Sequence, residues 1–123
     1  MNNELQTKRF VIHKHIRCGD IHWDLMLETG GVLQTYRLAM PPEEILKQSC
    51  RAEKISDHDL RFLTYQGSVN NGEGQVEITE QGTYRQAGWS EDRLELSLDG
   101  NKLKGSLTLT HTAGNNWELA KGL

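Results

Sequence analysis

Cysteine and proline occur only twice each among the 123 residues. Two cysteines, Cys18 and Cys50, cannot staple a disulfide framework. Neither lies in a CxxC pair, which argues against a structural zinc site built on thiolates. The N-terminal MNNELQTKRF has no apolar stretch before Phe10 and reads as no signal peptide, so both cysteines are expected as reduced thiols of a cytoplasmic protein. No run of about eighteen apolar residues is present, and no membrane-spanning helix is expected. Charge of one sign is also missing, because 14 Lys and Arg stand against 17 Asp and Glu, a net charge of −3. Contact with a polyanion would therefore need a local basic patch. Repeats, linkers and low-complexity segments are absent, and the length suits one domain spanning residues 1–123.

What the chain has is glycine, 12 in all, set between short alternating runs. That pattern predicts an all-β domain: a small antiparallel β-barrel of about eight strands with one short helix. Strands are expected over Arg9–His15, Ile21–Glu28 and Val32–Ala39, separated by a turn at 16–20 and by the Gly pair of "TGG". "PPEEILKQS" reads as the helix, with Pro42 in its first turn and Glu43 and Glu44 at the positive end of the dipole. Further strands are expected at 60–66, 74–79, 82–86, 93–98, 102–110 and 117–120. Alternation is clearest in "RLELSLDG" and "KLKGSLTLT". Closing such strands into a barrel hides their edges.

The run "FVIHKHIRCGDIHWDLMLE", residues 10–28, holds three histidines and two aspartates. Residues i and i+2 of a strand share a face. His13 and His15 therefore share one face of the first strand, and His22, Asp24 and Met26 one face of the second. A hairpin between them lets imidazoles and a carboxylate converge within metal-ligand reach, with Trp23, Leu25 and Leu27 packing behind. Such a donor set suits zinc, manganese or iron. The plainer reading is a solvated strand face, and spacing alone does not separate the two. His58 in "SDHDL" and His111 in "LTHTAGNN" read as turn residues. Trp23, Tyr36, Trp89 and Trp117 read as packing residues.

"FVIHKH", "IHWDLMLETGGVL" and "DHDLRF" resemble motifs of the 3′-phosphoesterase domain of bacterial end-joining DNA ligase D, and the resemblance runs from about Arg9 to Lys121. It implies a small β-barrel that trims DNA 3′ ends with a divalent metal, manganese being typical and zinc an alternative. On it, the metal ligands are His15, His22 and Asp24, with His13 a further candidate, and His58 is the catalytic histidine beside the scissile phosphate. Cys18, in the neighbouring turn, is a conceivable extra ligand. The partners implied are DNA 3′ ends of the primer–template kind and a separate DNA ligase or polymerase, for a monomer with no membrane contact.

This sequence departs from the family pattern at the phosphate-gripping positions. The arginine two residues after the aspartate is Met26, the tyrosine after the second His motif is Phe62, and a lysine falls near Met40. Each buried charged partner removed from a phosphate costs about 2–5 kcal/mol. Arg17, Arg37 and Arg51 are the candidate replacements for substrate binding. Three readings follow: a divergent phosphoesterase, a metal-containing module that binds DNA ends without cutting, and a barrel kept for protein contacts.

Overall fold

The computed structural model describes residues 7–122. Nine strands form one antiparallel sheet: β1 (Lys8–Arg17), β2 (Asp20–Thr29), β3 (Val32–Leu38), β4 (Cys50–His58), β5 (Gly67–Val69), β6 (Gly74–Ser90), β7 (Arg93–Gly100), β8 (Lys104–Ala113) and β9 (Asn116–Lys121). The order β1-β2-β3-β4-β9-β8-β7-β6 closes through a β1–β6 pairing into an eight-stranded barrel, and β5 adds to the free edge at the start of β6. The expected all-β barrel is therefore the fold. No described helix is long and apolar enough to cross a membrane.

The first two hairpins follow from their turn residues. Cys18 and Gly19 have φ of 50° and 80°, and Gly30 and Gly31 have 60° and 85°. Paired positive φ values mark type I′ turns, whose twist matches that of the flanking strands. The expected helix shrinks to one turn, α1 (Pro42–Ile45), with Glu43 and Glu44 in it and Ile45 wholly buried in the barrel core. Three strand expectations need correction. Residues 60–66 are not a strand: Asp59 caps a 3-10 turn, Leu60–Leu63, by accepting from the Arg61 amide. Residues 74–79 and 82–86 are one strand, because Gly82 marks a crossing and not a turn. A side chain there would collide with the Asp99 carbonyl on β7. No strand is expected at 50–58, where β4 lies; the charged composition masks it, and only Ala52 of the strand is buried.

Phe10, Ile12, Leu25, Leu27, Tyr36, Leu38 and Trp117 are among the residues filling the barrel. Tyr36 and Trp117 meet edge to face at 5.7 Å, as their packing role predicts. A second, smaller cluster lies on the outer face of the same strands, where Val11, Met26, Leu33 and Leu63 pack with Leu60, Phe62 and Ile78. Residues 59–73 thus cover the outside of the β1–β2 hairpin, burying both of its faces.

A bulge separates the two faces of β6. Ile12 pairs with Glu80 and His13 with Ile78, leaving Thr79 as the extra residue, whose hydroxyl donates to the Ile12 carbonyl. One extra residue reverses side-chain direction. Ile78 stays in the outer cluster, whereas Glu80 turns inward beside Phe10. The buried Glu80 carboxylate accepts from the amides of Gln81, Asn101, Lys102 and Leu103, and so fastens the β7–β8 turn. Burial alone would raise its pKa, but the four amides outweigh it and hold it below the ordinary 4.5. The anion's contribution to stability is therefore present above about pH 4.5 and lost as pH falls through the lower, folded value. Glu80→Gln should cost about 2–3 kcal/mol at pH 7. The gap from wild type should close in acid, as measured by urea unfolding at pH 7 and pH 3.

Candidate metal centre

The hairpin register sets His15 opposite His22 and His13 opposite Asp24. His15 Nδ1 lies 3.0 Å from His22 Nε2, and His22 Nε2 lies 3.4 Å from Asp24 Oδ1. Ligand atoms of all three residues fall within 4.8 Å of one another. Two donors bound about 2.0–2.2 Å from one ion, at tetrahedral or octahedral angles, sit roughly 2.8–3.6 Å apart, so this spacing fits a shared cation. Asp24 is 4% exposed, and its Oδ1 is buried without a hydrogen-bond partner. An unpartnered buried carboxylate oxygen is costly unless a cation meets it. Burial chiefly, and then the neighbouring His22, lower the pKa of His15, which favours the neutral imidazole that ligation requires.

Two more histidines border the cluster. His13, 2% exposed, has its pKa pushed down to about 4, mainly by burial and against the pull of Asp24. It is a neutral imidazole with an unpartnered Nε2, and it lies outside the three-residue ligand set. His58 ends β4 where a second bulge shifts the β3–β4 register between Leu33 and Thr35. It is a strand residue re-aimed by that bulge, not the turn residue its sequence context suggested. Its Nδ1 is 3.0 Å from both the Ser56 carbonyl and Thr35 Oγ1, and the Thr35 hydroxyl donates to the Leu33 carbonyl. The carbonyl can only accept, so this network assigns the proton to Nδ1 and leaves Nε2 as the exchangeable nitrogen. The buried Thr35 was missed by sequence reasoning, although its alternation with Arg37 on β3, opposite Met26, carried the signal.

A cavity of about 110 Å³ opens against His13, His15, Asp24 and His58, with Met26 and Phe62 among its apolar walls. At about 30 Å³ per water molecule it has room for only a few atoms of substrate. Of the three candidate arginines, Arg37 alone reaches this centre. Its Nε is 3.8 Å from Asp24 Oδ1, too far for a hydrogen bond, and is itself buried without a partner. Arg17 pairs with Glu73 at 2.9 Å, and Arg51 is exposed on β4 opposite Glu118. Cys18 is exposed and outside the cluster. His111 lies in β8 and contacts the Gly114 carbonyl through Nε2.

Gly74 was also missed as a site residue. A Cβ on it would sit 3.1 Å from His15 Nε2 and 3.1 Å from Val69 Cγ2. Gly74→Ala should push the His15 ring off its ligand position and weaken manganese binding about tenfold or more, as displaced support of a ligand does. Isothermal titration calorimetry would measure this, with circular dichroism showing the fold retained.

Barrel and cluster together define a class: a small closed antiparallel barrel whose reactive side chains lie on the outer face of one hairpin, beneath a covering loop. The family model described as the DNA Ligase D 3′-phosphoesterase domain matches residues 12–111, and the chain belongs to that family. It is similar to the multifunctional non-homologous end joining protein LigD of Mycolicibacterium smegmatis, with 28% identity over 123 aligned positions that cover 89% of this chain. The match covers only 16% of that relative's length.

Proposed function

We propose that this protein processes DNA 3′ ends as a divalent-metal-dependent phosphoesterase, removing a 3′-terminal ribonucleoside or a 3′-phosphate during end joining. Family membership supports the end-processing role. The observation that carries the metal-dependent chemistry is the unpartnered Asp24 Oδ1 set against His15 and His22 beside a small cavity. His15, His22 and Asp24 would hold the ion, with manganese first and zinc second; when bound, it neutralises phosphate charge. His13, kept neutral, excludes a competing positive charge from the same pocket. Arg37 offers the nearest guanidinium to a phosphate oxygen. In the hydrolysis, water adds to phosphorus and the P–O bond to the terminal nucleoside, or to the primer's 3′ oxygen, breaks. His58 Nε2, backed by the Ser56 and Thr35 contacts at Nδ1, is placed to protonate that departing oxygen.

The cavity walls also favour a second reading. Met26 is 1% exposed, in a row with Asp24, and it presents a thioether where a phosphate-binding arginine would grip. A DNA-end-binding module without turnover would tolerate that. Purified protein with manganese and a primer–template ending in a ribonucleotide or a 3′-phosphate separates the two. Shortened or dephosphorylated ends that disappear with chelator are expected; ends bound but unchanged by folded protein would leave only the binding module. Loss of the terminal nucleoside leaves a 3′-phosphate, and only removal of that phosphate leaves a free 3′-hydroxyl; a polymerase or ligase that needs the hydroxyl is the proposed partner, and the cytoplasm the proposed location.

A further inference from the structure

Beside the small cavity, across a shared wall of Phe62, Val69 and Asn70, lies a larger hollow of about 340 Å³. Its polar and aromatic lining comes from Arg61, Phe62, Tyr65, Ser68, Asn70 and Asn71. Phe62 stands between the two hollows. Its ring meets His13 at 6.0 Å and His58 at 5.8 Å, and it meets Tyr65 at 5.8 Å with the rings perpendicular. The Arg61 guanidinium lies 5.0 Å over the Phe62 ring. Tyr65, 37% exposed, is one of only two large hydrophobic side chains exposed among the described residues. Its hydroxyl donates to the Ser68 carbonyl, and Gly67 passes close beneath that hydroxyl, so the ring is held in place while still open to solvent. Asn70 and Asn71 adopt φ of 54° and 58°, a region that asparagine tolerates better than most residues.

A cavity of 110 Å³ takes little more than a phosphate. A group esterified to that phosphate must extend into adjoining space, and the Phe62 wall puts this larger hollow next in line. An exposed tyrosine, a guanidinium and two carboxamides are what a planar heterocycle with a sugar calls for: a π-face to stack on, a cation, and donors and acceptors for ring edges and hydroxyls. We infer that the hollow lined by Arg61, Tyr65, Asn70 and Asn71 is the subsite for the terminal 3′ nucleoside of the DNA end, with Tyr65 as its stacking platform. The inference rests on the phosphoesterase reading for what occupies the small cavity. It adds a residue-level basis for preferring an end that still bears a nucleoside over one that bears only a phosphate.

The test compares wild type, Tyr65→Ala and Tyr65→Phe. One arm measures equilibrium binding, in chelator, of a primer–template carrying 2-aminopurine as its 3′-terminal base, whose fluorescence drops on stacking. The other arm measures kcat/KM with manganese on ribonucleoside-ended and on 3′-phosphate-ended primers. Tyr65→Ala should lose the quench and fall about five- to a hundredfold on the ribonucleoside end, the range of one base–aromatic stack. It should stay within about twofold of wild type on the 3′-phosphate end. Tyr65→Phe, which keeps the ring but loses its tether to the Ser68 carbonyl, should keep the quench and lose less than Tyr65→Ala on the ribonucleoside end. Equal losses on both ends, no loss on either, or a Tyr65→Phe as impaired as Tyr65→Ala would overturn the subsite. If wild type processes neither end, the phosphoesterase reading fails by itself and the fluorescence arm still decides the subsite: quenching that persists in Tyr65→Ala refutes it, and quenching lost only there sustains it.

Discussion

Asp24→Ala protein will gain no thermal stability from manganese and will process DNA ends at least about a thousandfold more slowly, yet without metal it will melt at or above the wild-type temperature. The three parts follow from one atom. Asp24 Oδ1 is buried, hydrogen-bonded to nothing, and 3.4 Å from His22 Nε2. Without a metal its one countercharge is the Arg37 guanidinium, 3.8 Å away, not hydrogen-bonded and 42% exposed, so deleting Asp24 removes a desolvation penalty and breaks only a loose pair whose arginine can turn to water. With a cation at 100 times its dissociation constant, the wild type gains about 2.7 kcal/mol, worth several degrees of melting temperature in a chain of this size. A variant lacking the only anionic ligand forfeits most of that gain. The rate loss reflects the several kcal/mol of charge stabilisation a metal supplies to a phosphoryl reaction. Asp24→Asn, which keeps the shape and removes the charge, should follow Asp24→Ala in activity. Differential scanning fluorimetry with manganese and with chelator, run beside an end-processing assay, checks all three. A variant that melts lower than wild type in chelator would show Asp24 to be a structural anion, and the cluster would lose its claim to a metal.

The part of the site that alternation governs was readable. His13 and His15 on one strand, and His22 and Asp24 on the next, needed only a period of two and a hairpin. The register pairs them as that argument requires, His15 with His22 and His13 with Asp24. The same period misled about the surroundings. The histidine face reads as half-solvated, but Val11 and Met26 on it are buried under residues 59–73. The uninterrupted apolar triplets Phe10–Ile12 and Leu25–Leu27 were the available signal, because such runs mark strands covered on both faces. Bulges were the other obstacle. The direction of Glu80 depends on one extra residue at Thr79, and that of His58 on the irregular register after Leu33. A one-residue offset flips every later side chain, and nothing in the local composition announces it. The 59–73 segment is tied down by long-range contacts, such as the Gln66 side chain accepting from the Ile78 amide, and local propensity does not encode those.

His58→Ala should slow removal of a 3′-ribonucleoside by about a hundred- to ten-thousandfold, the range for a positioned general acid. The loss should nearly vanish on a substrate whose leaving group needs no proton. The network at Nδ1 is the reason. The Ser56 carbonyl and Thr35 Oγ1 both lie 3.0 Å from it, so a proton stays there and Nε2 is the nitrogen that exchanges one. A nucleoside's departing 5′ oxygen is a strongly basic alkoxide, whereas a nitrophenolate leaves unaided. A phosphodiester of DNA with nitrophenol should therefore be hydrolysed by His58→Ala within about tenfold of wild type, under manganese. Thr35→Val keeps the volume but removes the hydroxyl contact to Nδ1. As a positioning change it should lose about tenfold on the ribonucleoside end and little on the nitrophenyl ester. Comparable losses on both substrates would mean that His58 acts before the bond breaks, in binding phosphate or metal, and the acid role would pass to another group at the cavity. Manganese affinity measured on the same variant separates those two causes. Because His58 lies outside the His15, His22 and Asp24 set, that affinity is expected to change by less than about threefold, whereas the tenfold or greater loss expected of Gly74→Ala marks a disturbed ligand.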